Sequence, residues 1–225
     1  VPHEQLSIPS RFRDRAHAGR CLGELLSTYR GRTDVVVLAL PRGGVPVGLE
    51  IARTLEAPLD VIIVRKLGVP GQEELAFGAL APGGATVLNS EVVRHLGRGV
   101  EKVIETVKER ERAELERRES LYRGGRPRLE LRGKVVILVD DGLATGASMR
   151  AAIAAAKEQE PARIVVAVPT AAPDTCASIR AEVDELVSPL MPRDFYAVSL
   201  WYENFEQLSD EEVREMLDSA GTGNR

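Results

Sequence analysis

A pair of adjacent aspartates, set between an apolar run and a loop of glycine and hydroxyl residues, is the most chemically pointed feature of this chain. The segment reads Val135-Val136-Ile137-Leu138-Val139-Asp140-Asp141-Gly142-Leu143-Ala144-Thr145-Gly146-Ala147-Ser148-Met149. The apolar run reads as a buried strand, and the residues after the loop as an Ala-rich helix. Ligands of open parallel sheets bind outside the carboxyl ends of the strands, which is where this loop would lie. Backbone N–H groups of Gly142, Leu143, Ala144, Thr145, Gly146, Ala147 and Ser148 can converge on an anion at the helix N-terminus, where the helix dipole favours negative charge. Thr145 and Ser148 add hydroxyl donors, and the small neighbours allow a phosphate to approach. Carboxylates repel phosphate. Asp140 and Asp141 therefore make sense facing another part of the same ligand, such as sugar hydroxyls or a hydrated divalent cation.

A second anion motif, Pro41-Arg42-Gly43-Gly44, follows the run Val35–Leu40 and also opens a helix. The paired glycines free the backbone, and Arg42 supplies a fork of donors suited to phosphate oxygens. Arg65 and Lys66 follow the next apolar run and place two more cations at the same sheet edge. One loop suits a single phosphate, and the other loop with the basic pair suits a more highly charged group such as pyrophosphate. The chain has no Gly-x4-Gly-Lys-Ser/Thr motif, and the acid-bearing loop has neither a Gly-x-Gly-x-x-Gly dinucleotide pattern nor a nucleophile elbow.

The elements that must position these residues are legible as alternating runs. Val35–Leu40, Leu59–Val64, Val135–Val139, Ile164–Val168 and Glu185–Ser188 read as strands, mostly continuous and rich in Val and Ile, as in a sheet buried on both faces. Helices are expected over roughly Arg13–Tyr29, Val45–Leu55, Ala147–Gln159 and Asp174–Ala181. The alternation predicts an α/β fold, an open, twisted, mainly parallel five-stranded sheet flanked by helices. Residues 1–12 read as an N-terminal extension, 13–189 as the core, and 190–225 as a C-terminal appendage. Within the core, residues 91–122 form a charged helical insertion in which acids interrupt bases throughout, as on a solvated helix face. The appendage gathers Phe195, Tyr196, Trp201, Tyr202 and Phe205, then Ser209-Asp210-Glu211-Glu212, a capping box that starts a final helix.

Composition narrows the function classes. A formal charge of −4 over 225 residues gives no overall basic field for nucleic acid. Cys21 and Cys176 are too few and too far apart for a metal cluster or a disulfide framework. No apolar run is long enough to span a bilayer. No signal-peptide pattern opens the chain, so a cytoplasmic protein is expected, and its first ten residues, which lack an initial Met, read as processed or added.

The acid-loop segment and Pro41-Arg42-Gly43-Gly44 together resemble the type I phosphoribosyltransferase family, over roughly residues 30–190. Asp140 to Ser148 resembles the family's signature for 5-phosphoribosyl 1-diphosphate (PRPP), and Pro41–Gly44 resembles its pyrophosphate loop, which often holds a non-proline cis peptide. The resemblance implies that Asp140 and Asp141 meet the ribose hydroxyls, directly or through metal-bound water. It implies that Gly142–Ser148 cradle the 5-phosphate, and that Pro41, Arg42, Gly43, Gly44, Arg65 and Lys66 hold the pyrophosphate. Asp140, Asp141, Arg42 and Lys66 would carry the chemistry, with Mg²⁺ ligated largely by substrate oxygens. A small-molecule acceptor, a nucleobase or similar nitrogen compound, would displace pyrophosphate, and the family's frequent dimers make a homodimer the prior. A mobile loop, here Gly71–Gly84 with Glu73, Glu74 and Phe77, would close over the sugar. A hood carrying Phe195, Tyr196, Trp201 and Tyr202 would offer stacking surface to the acceptor. Ala144 stands where 6-oxopurine members carry an additional Asp, whereas Ala144-Thr145-Gly146 and Arg65-Lys66 resemble adenine enzymes. The segments Arg65-Lys66-Leu67-Gly68-x-Pro70-Gly71 and Glu74-Leu75-Ala76-x-Gly78-Ala79 resemble a bacterial branch of the family without a settled acceptor. Two other readings stay open: a non-catalytic PRPP-sensing regulator, and a phosphate-sugar hydrolase or phosphorylase.

Overall fold

The computed structural model describes residues 8–81, 86–95 and 100–221. In chain order the elements are α1 (Arg15–Leu25), β1 (Val35–Ala39), α2 (Gly44–Leu55), β2 (Leu59–Val61), β3 (Arg65–Val69), β4 (Gln72–Leu80), β5 (Thr86–Leu88), α3 (Ser90–His95) and α4 (Val100–Arg123). They continue with β6 (Val135–Val139), α5 (Ala147–Lys157), β7 (Arg163–Ala167), α6 (Pro173–Arg180), β8 (Glu185–Val187) and α7 (Asp210–Gly221), with short 3₁₀ turns at Ser27–Tyr29 and Val198–Trp201.

Five strands form the expected parallel sheet in the order β2-β1-β6-β7-β8. β1 and β6 pair without offset, Val35 opposite Val135 through Ala39 opposite Val139. Their carboxyl ends are therefore level, and the loops that follow leave the sheet side by side. The sheet is covered on both faces, which is why its strands are unbroken apolar runs. Val36, Leu38, Val136, Leu138 and Val166 pack on one side with Met149 and Ile153 of α5 and Ile179 of α6. Val35, Val37, Ile137 and Val165 pack on the other with Leu22 of α1 and Val47 and Ile51 of α2.

Two glycines let α1 lie directly on α2. A Cβ on Gly19 would come within 2.6 Å of the Val47 carbonyl oxygen, and one on Gly23 within 2.7 Å of Thr54 Cβ. Gly19→Val should therefore force the helices apart and cost about 1–3 kcal/mol, as overpacking does. Each kcal/mol lowers the melting midpoint of a domain this size by about 2–4 °C. An unchanged midpoint in thermal unfolding would refute the close approach.

The interval after β2 departs from expectation. Within Gly71–Gly84, residues Gln72–Leu80 are strand β4 and not loop, and 82–84 lie outside the described residues: β3, β4 and β5 make a separate antiparallel sheet, with Gly71 at φ +80° in the turn between β3 and β4. Leu67, Phe77 and Leu80 bury against Ile104, Leu115 and Tyr122 of α4 and Val213 of α7, in a cluster that also takes in Ala39 of β1, Val45 of α2 and Val61 of β2. Phe77 is fully buried there and is not a contact on a closing loop. The side chains of Glu73 and Glu74 lie outside the described residues.

The charged insertion at 91–122 is two helices, α3 and α4, with 96–99 outside the described residues. The outer face of α4 carries ion pairs at helical spacing, including Glu105–Lys108 and Glu114 with both Arg117 and Arg118. Arg117 first, then Arg118, holds the Glu114 carboxyl down at about 2. The inner face is not solvated. Arg123 pairs with Asp60 and donates to the Val61 carbonyl at 2.9 Å, fastening α4 to the edge strand β2.

At the C-terminus the capping box forms as read: Ser209 N–H donates to Glu212 Oε2 at 2.7 Å, and Glu212 N–H to Ser209 Oγ at 3.2 Å. Phe12, assigned to the N-terminal extension by sequence, is buried against Ala18 and Tyr202. Its N–H donates to the Trp201 carbonyl at 2.9 Å, and its own carbonyl accepts from Glu203 N–H at 2.8 Å. The N-terminal and C-terminal segments are thus laced to each other.

Candidate anion-binding site

Two helix N-termini open next to each other at the level ends of β1 and β6. α2 begins at Gly44 after Pro41-Arg42-Gly43, and α5 begins at Ala147 after the acid-bearing loop. Neither helix has a side-chain cap. At α5 the first-turn N–H groups are therefore left for a partner outside the helix, whereas at α2 the Gly44 N–H donates to the Leu40 carbonyl at 3.0 Å, the Val45 N–H donates to the Arg42 carbonyl at 3.1 Å, and Pro46 has none. Gly146 lies in the left-handed region at φ +76°, which turns the loop into α5. The Pro41–Arg42 peptide is cis.

The two loops are in contact. A Cβ on Gly43 would fall 1.9 Å from Asp141 Oδ2, and one on Gly44 would fall 2.6 Å from the Val139 carbonyl oxygen and 3.0 Å from Asp140 Cα. The glycines bring the basic loop down onto the two acids.

The acids have different surroundings. Asp140 Oδ1 accepts the Asp141 N–H at 2.8 Å, and Asp140 forms no hydrogen bond to another element among the described residues. Burial first, then the neighbouring Asp141 charge, pushes the Asp140 carboxyl well above the usual carboxylate range. Asp141 accepts from Arg15 Nε at 2.8 Å, and its backbone carbonyl accepts from the Tyr202 hydroxyl at 2.6 Å. Burial also raises the Asp141 carboxyl, with Arg15 opposing.

Within the loop, Ala144 and Thr145 are exposed, and Ala147 and Ser148 half-buried. Leu143 corrects the expectation that every residue from 142 to 148 lines the phosphate cradle. Its side chain is in the core, its N–H donates to the Thr170 carbonyl at 2.9 Å and its carbonyl accepts from Ala172 N–H. Leu143 anchors the loop to the segment after β7. Gly142 lies under the 3₁₀ turn of the C-terminal segment, where a Cβ would meet Val198 Cγ1 at 2.4 Å. A cavity of about 340 Å³ opens beside the loop, lined by Thr145 and Ala147 together with Gly78, Ala79, Leu88 and Asn89 of the antiparallel sheet and the residue following it, and by Arg150.

The cations divide. Arg42 Nη1 lies 3.8 Å from Asp210 Oδ1 at the start of α7, and both side chains are more than a third exposed. Arg65 is engaged elsewhere: its Nε and Nη2 lie 2.8 and 2.7 Å from Glu111 Oε2 of α4, so it is a structural ion pair instead of an open pyrophosphate donor. Lys66 is exposed on β3 and makes no ion pair among the described residues.

The aromatic residues divide as well. Tyr202 is 1% exposed, its ring against Phe12 and Phe205, so it is not stacking surface for a ligand. Phe195 and Trp201 are half-buried, and Tyr196 is 84% exposed. Sequence reasoning missed Arg15 and Val198. Arg15 lies 126 positions from Asp141 in the chain, and no local pattern marks either residue.

A family model described as a phosphoribosyl transferase domain matches residues 15–200. A Mycobacterium tuberculosis protein, with the provisional name phosphoribosyl transferase Rv0571c in strain H37Rv and a counterpart in strain CDC 1551, is 46% identical over 211 residues. The match covers 93% of this chain and 47% of the relative, so this chain spans about half the length of those curated relatives. The crystal structure of the protein TT1426 from Thermus thermophilus is 44% identical, with a TM-score of 0.80 over 92% of this chain and 97% of that one.

Proposed function

This chain belongs to the phosphoribosyl transferase domain family, and from that premise we propose that it transfers a phosphoribosyl group from PRPP to a nitrogen acceptor, releasing pyrophosphate. The observation that carries this reading is the contact between Gly43–Gly44 and Asp140–Asp141, which joins the basic loop to the acid-bearing loop and the open start of α5. Two anion sites flanking carboxylates match a sugar with a phosphate at one end and a pyrophosphate at the other.

The 5-phosphate takes the N-terminus of α5 with Thr145 and Ser148, and the acid-bearing segment lies on the ribose side. The pyrophosphate takes the Pro41–Gly44 loop with the Arg42 side chain, and Lys66 is the further cation available to it. During reaction the bond from C1 to the pyrophosphate oxygen breaks while the acceptor nitrogen bonds to C1. Positive charge grows on the sugar, where a carboxylate lowers its energy, and negative charge grows on the leaving group, where Arg42 lowers it. The donor set fits Mg²⁺ carried on substrate oxygens: it offers hard carboxylate oxygen at Asp140, and no group of three His, Cys, Asp or Glu able to cage a metal occurs among the described residues. When bound, such an ion would neutralise pyrophosphate charge. Tyr196, Phe195 and Trp201 are the aromatic residues left to meet an acceptor.

The test is incubation with Mg²⁺, PRPP and a panel of bases while pyrophosphate is measured. Release that depends on one of the bases is the expected outcome. Stoichiometric PRPP binding with no release for any acceptor would favour a sensor, and no PRPP binding at all would sink the reading.

A further inference from the structure

Asp141 is held from three directions that have nothing to do with a ligand. Arg15, the first residue of α1, donates from Nε to Asp141 Oδ2 at 2.8 Å, and the two side chains are only 11% and 16% exposed. The start of α1 is itself fixed, because the Asp14 side chain accepts from His17 N–H at 2.7 Å. Gly43 closes over the same Asp141 oxygen, and the Tyr202 hydroxyl holds the Asp141 carbonyl. Burial pushes the Tyr202 hydroxyl up, so it stays protonated as that donor.

Arg15 does more than pair with Asp141. Its Nη1 donates to the Glu206 carbonyl at 2.9 Å, and its guanidinium lies 3.8 Å over the Phe205 ring. Phe205 in turn stacks on Tyr202 at 5.0 Å. One side chain therefore touches the second acid and the C-terminal segment, through a charge-assisted hydrogen bond and a cation–π contact. Asp140, one residue earlier, has no such tether. Two adjacent acids with the same side chain stand in opposite situations.

We infer that Arg15 is a positioning residue that reserves Asp141 as a strut between the basic loop and the C-terminal segment, leaving Asp140 as the acid that meets the ligand. The ligand half of this inference rests on the phosphoribosyl reading. The tether half does not. With Arg15 in place, the 198–206 segment is fixed relative to the acids. Without it, Asp141 is a buried carboxylate with its cation gone, free to turn toward the anion sites and repel their occupant.

The experiment compares Arg15→Met, Arg15→Lys, Asp141→Asn and Asp140→Asn with their pairwise combinations. It has two readouts, PRPP affinity by calorimetry in Mg²⁺ and acrylamide quenching of Trp201, the single tryptophan of the chain. Trp201 is half-buried at the edge of the tethered segment, with its indole nitrogen inaccessible. Arg15→Met and Asp141→Asn should each raise quenching and weaken PRPP binding by about tenfold, as expected when a charged hydrogen bond is lost. Combining them should weaken binding no further than either alone. Combining Arg15→Met with Asp140→Asn should multiply the two losses, and Arg15→Lys should recover part of both signals. Multiplying losses for Arg15 and Asp141, or an Arg15→Met protein with wild-type affinity and quenching, would overturn the inference. If the wild-type protein binds no PRPP, the phosphoribosyl reading fails, and the Trp201 comparison alone decides whether Arg15 ties the segment down.

Discussion

Replacing Asp140 with Asn should stabilise the ligand-free protein at neutral pH while removing most of its affinity for PRPP. Asp140 is raised well above the usual carboxylate range, by burial and then by the charge of Asp141. The native state therefore binds this proton more tightly than the unfolded chain, where an Asp titrates near about 3.9. The contribution of the group to stability is fully present below that unfolded value and is lost as pH rises through the raised native value. Asn keeps the acceptor for the Asp141 N–H at 2.8 Å and cannot ionise. Its advantage should vanish below about pH 4, grow through the window between the unfolded and native values, and level off above it. Every kcal/mol gained would raise the melting midpoint by about 2–4 °C. Asp141→Asn should gain less, because the Arg15 guanidinium opposes burial there and the carboxyl is raised less. Thermal melts of both variants from pH 4 to 8, with calorimetric PRPP titrations at pH 7.5, check this. A destabilised Asp140→Asn protein at pH 7.5, or one that binds PRPP like wild type, would show that the acid is not held for a ligand at the expense of stability.

The parallel sheet was legible because both of its faces are buried. That requirement turns Val35–Ala39 and Val135–Val139 into unbroken apolar runs, which a sequence displays directly. The anion loops were legible for a related reason: glycine, hydroxyl and acid residues in a row after such a run have few structural uses, and each is a local signal. The antiparallel sheet was not. Its burial is shared with α4 and α7, residues distant in the chain, and the alternation in Arg65–Val69 and Gln72–Leu80 is broken by Gly68 and by the register shifts around it. The same logic separates the site residues. Thr145 and Ser148 could be nominated from their loop alone, but the core position of Leu143 depends on the segment after β7, and the engagement of Arg65 depends on Glu111. Tyr202 looked like a hood aromatic because a sequence shows ring content but not which side of a segment faces inward. Arg15 had no local signal, since its meaning comes entirely from Asp141, Phe205 and Glu206.

Alanine at Gly44 should be the most damaging single methyl group in the site. Its Cβ would stand 2.6 Å from the Val139 carbonyl oxygen and 3.0 Å from Asp140 Cα, and both obstacles are backbone. The Val139 oxygen cannot retreat easily, because it accepts the Leu40 N–H at 2.8 Å where β1 and β6 end together. The start of α2 must therefore lift away from β6, separating the two anion loops. A cost of about 1–3 kcal/mol in stability follows from overpacking, and a displacement near 1 Å is enough to lower turnover by about 100-fold. Gly43→Ala meets a different obstacle, the Asp141 carboxylate at 1.9 Å, which can move by abandoning Arg15. The two variants separate when each is combined with Asp141→Ala. Removing the carboxylate should make Gly43→Ala nearly neutral relative to Asp141→Ala alone, because the clashing atoms are gone. It should rescue Gly44→Ala not at all. Melting midpoints of the five variants decide this without reference to any substrate, and pyrophosphate release from PRPP then shows how far the loop separation reaches the chemistry. A Gly44→Ala protein with the wild-type midpoint would mean that the two loops do not meet as closely as the glycines demand.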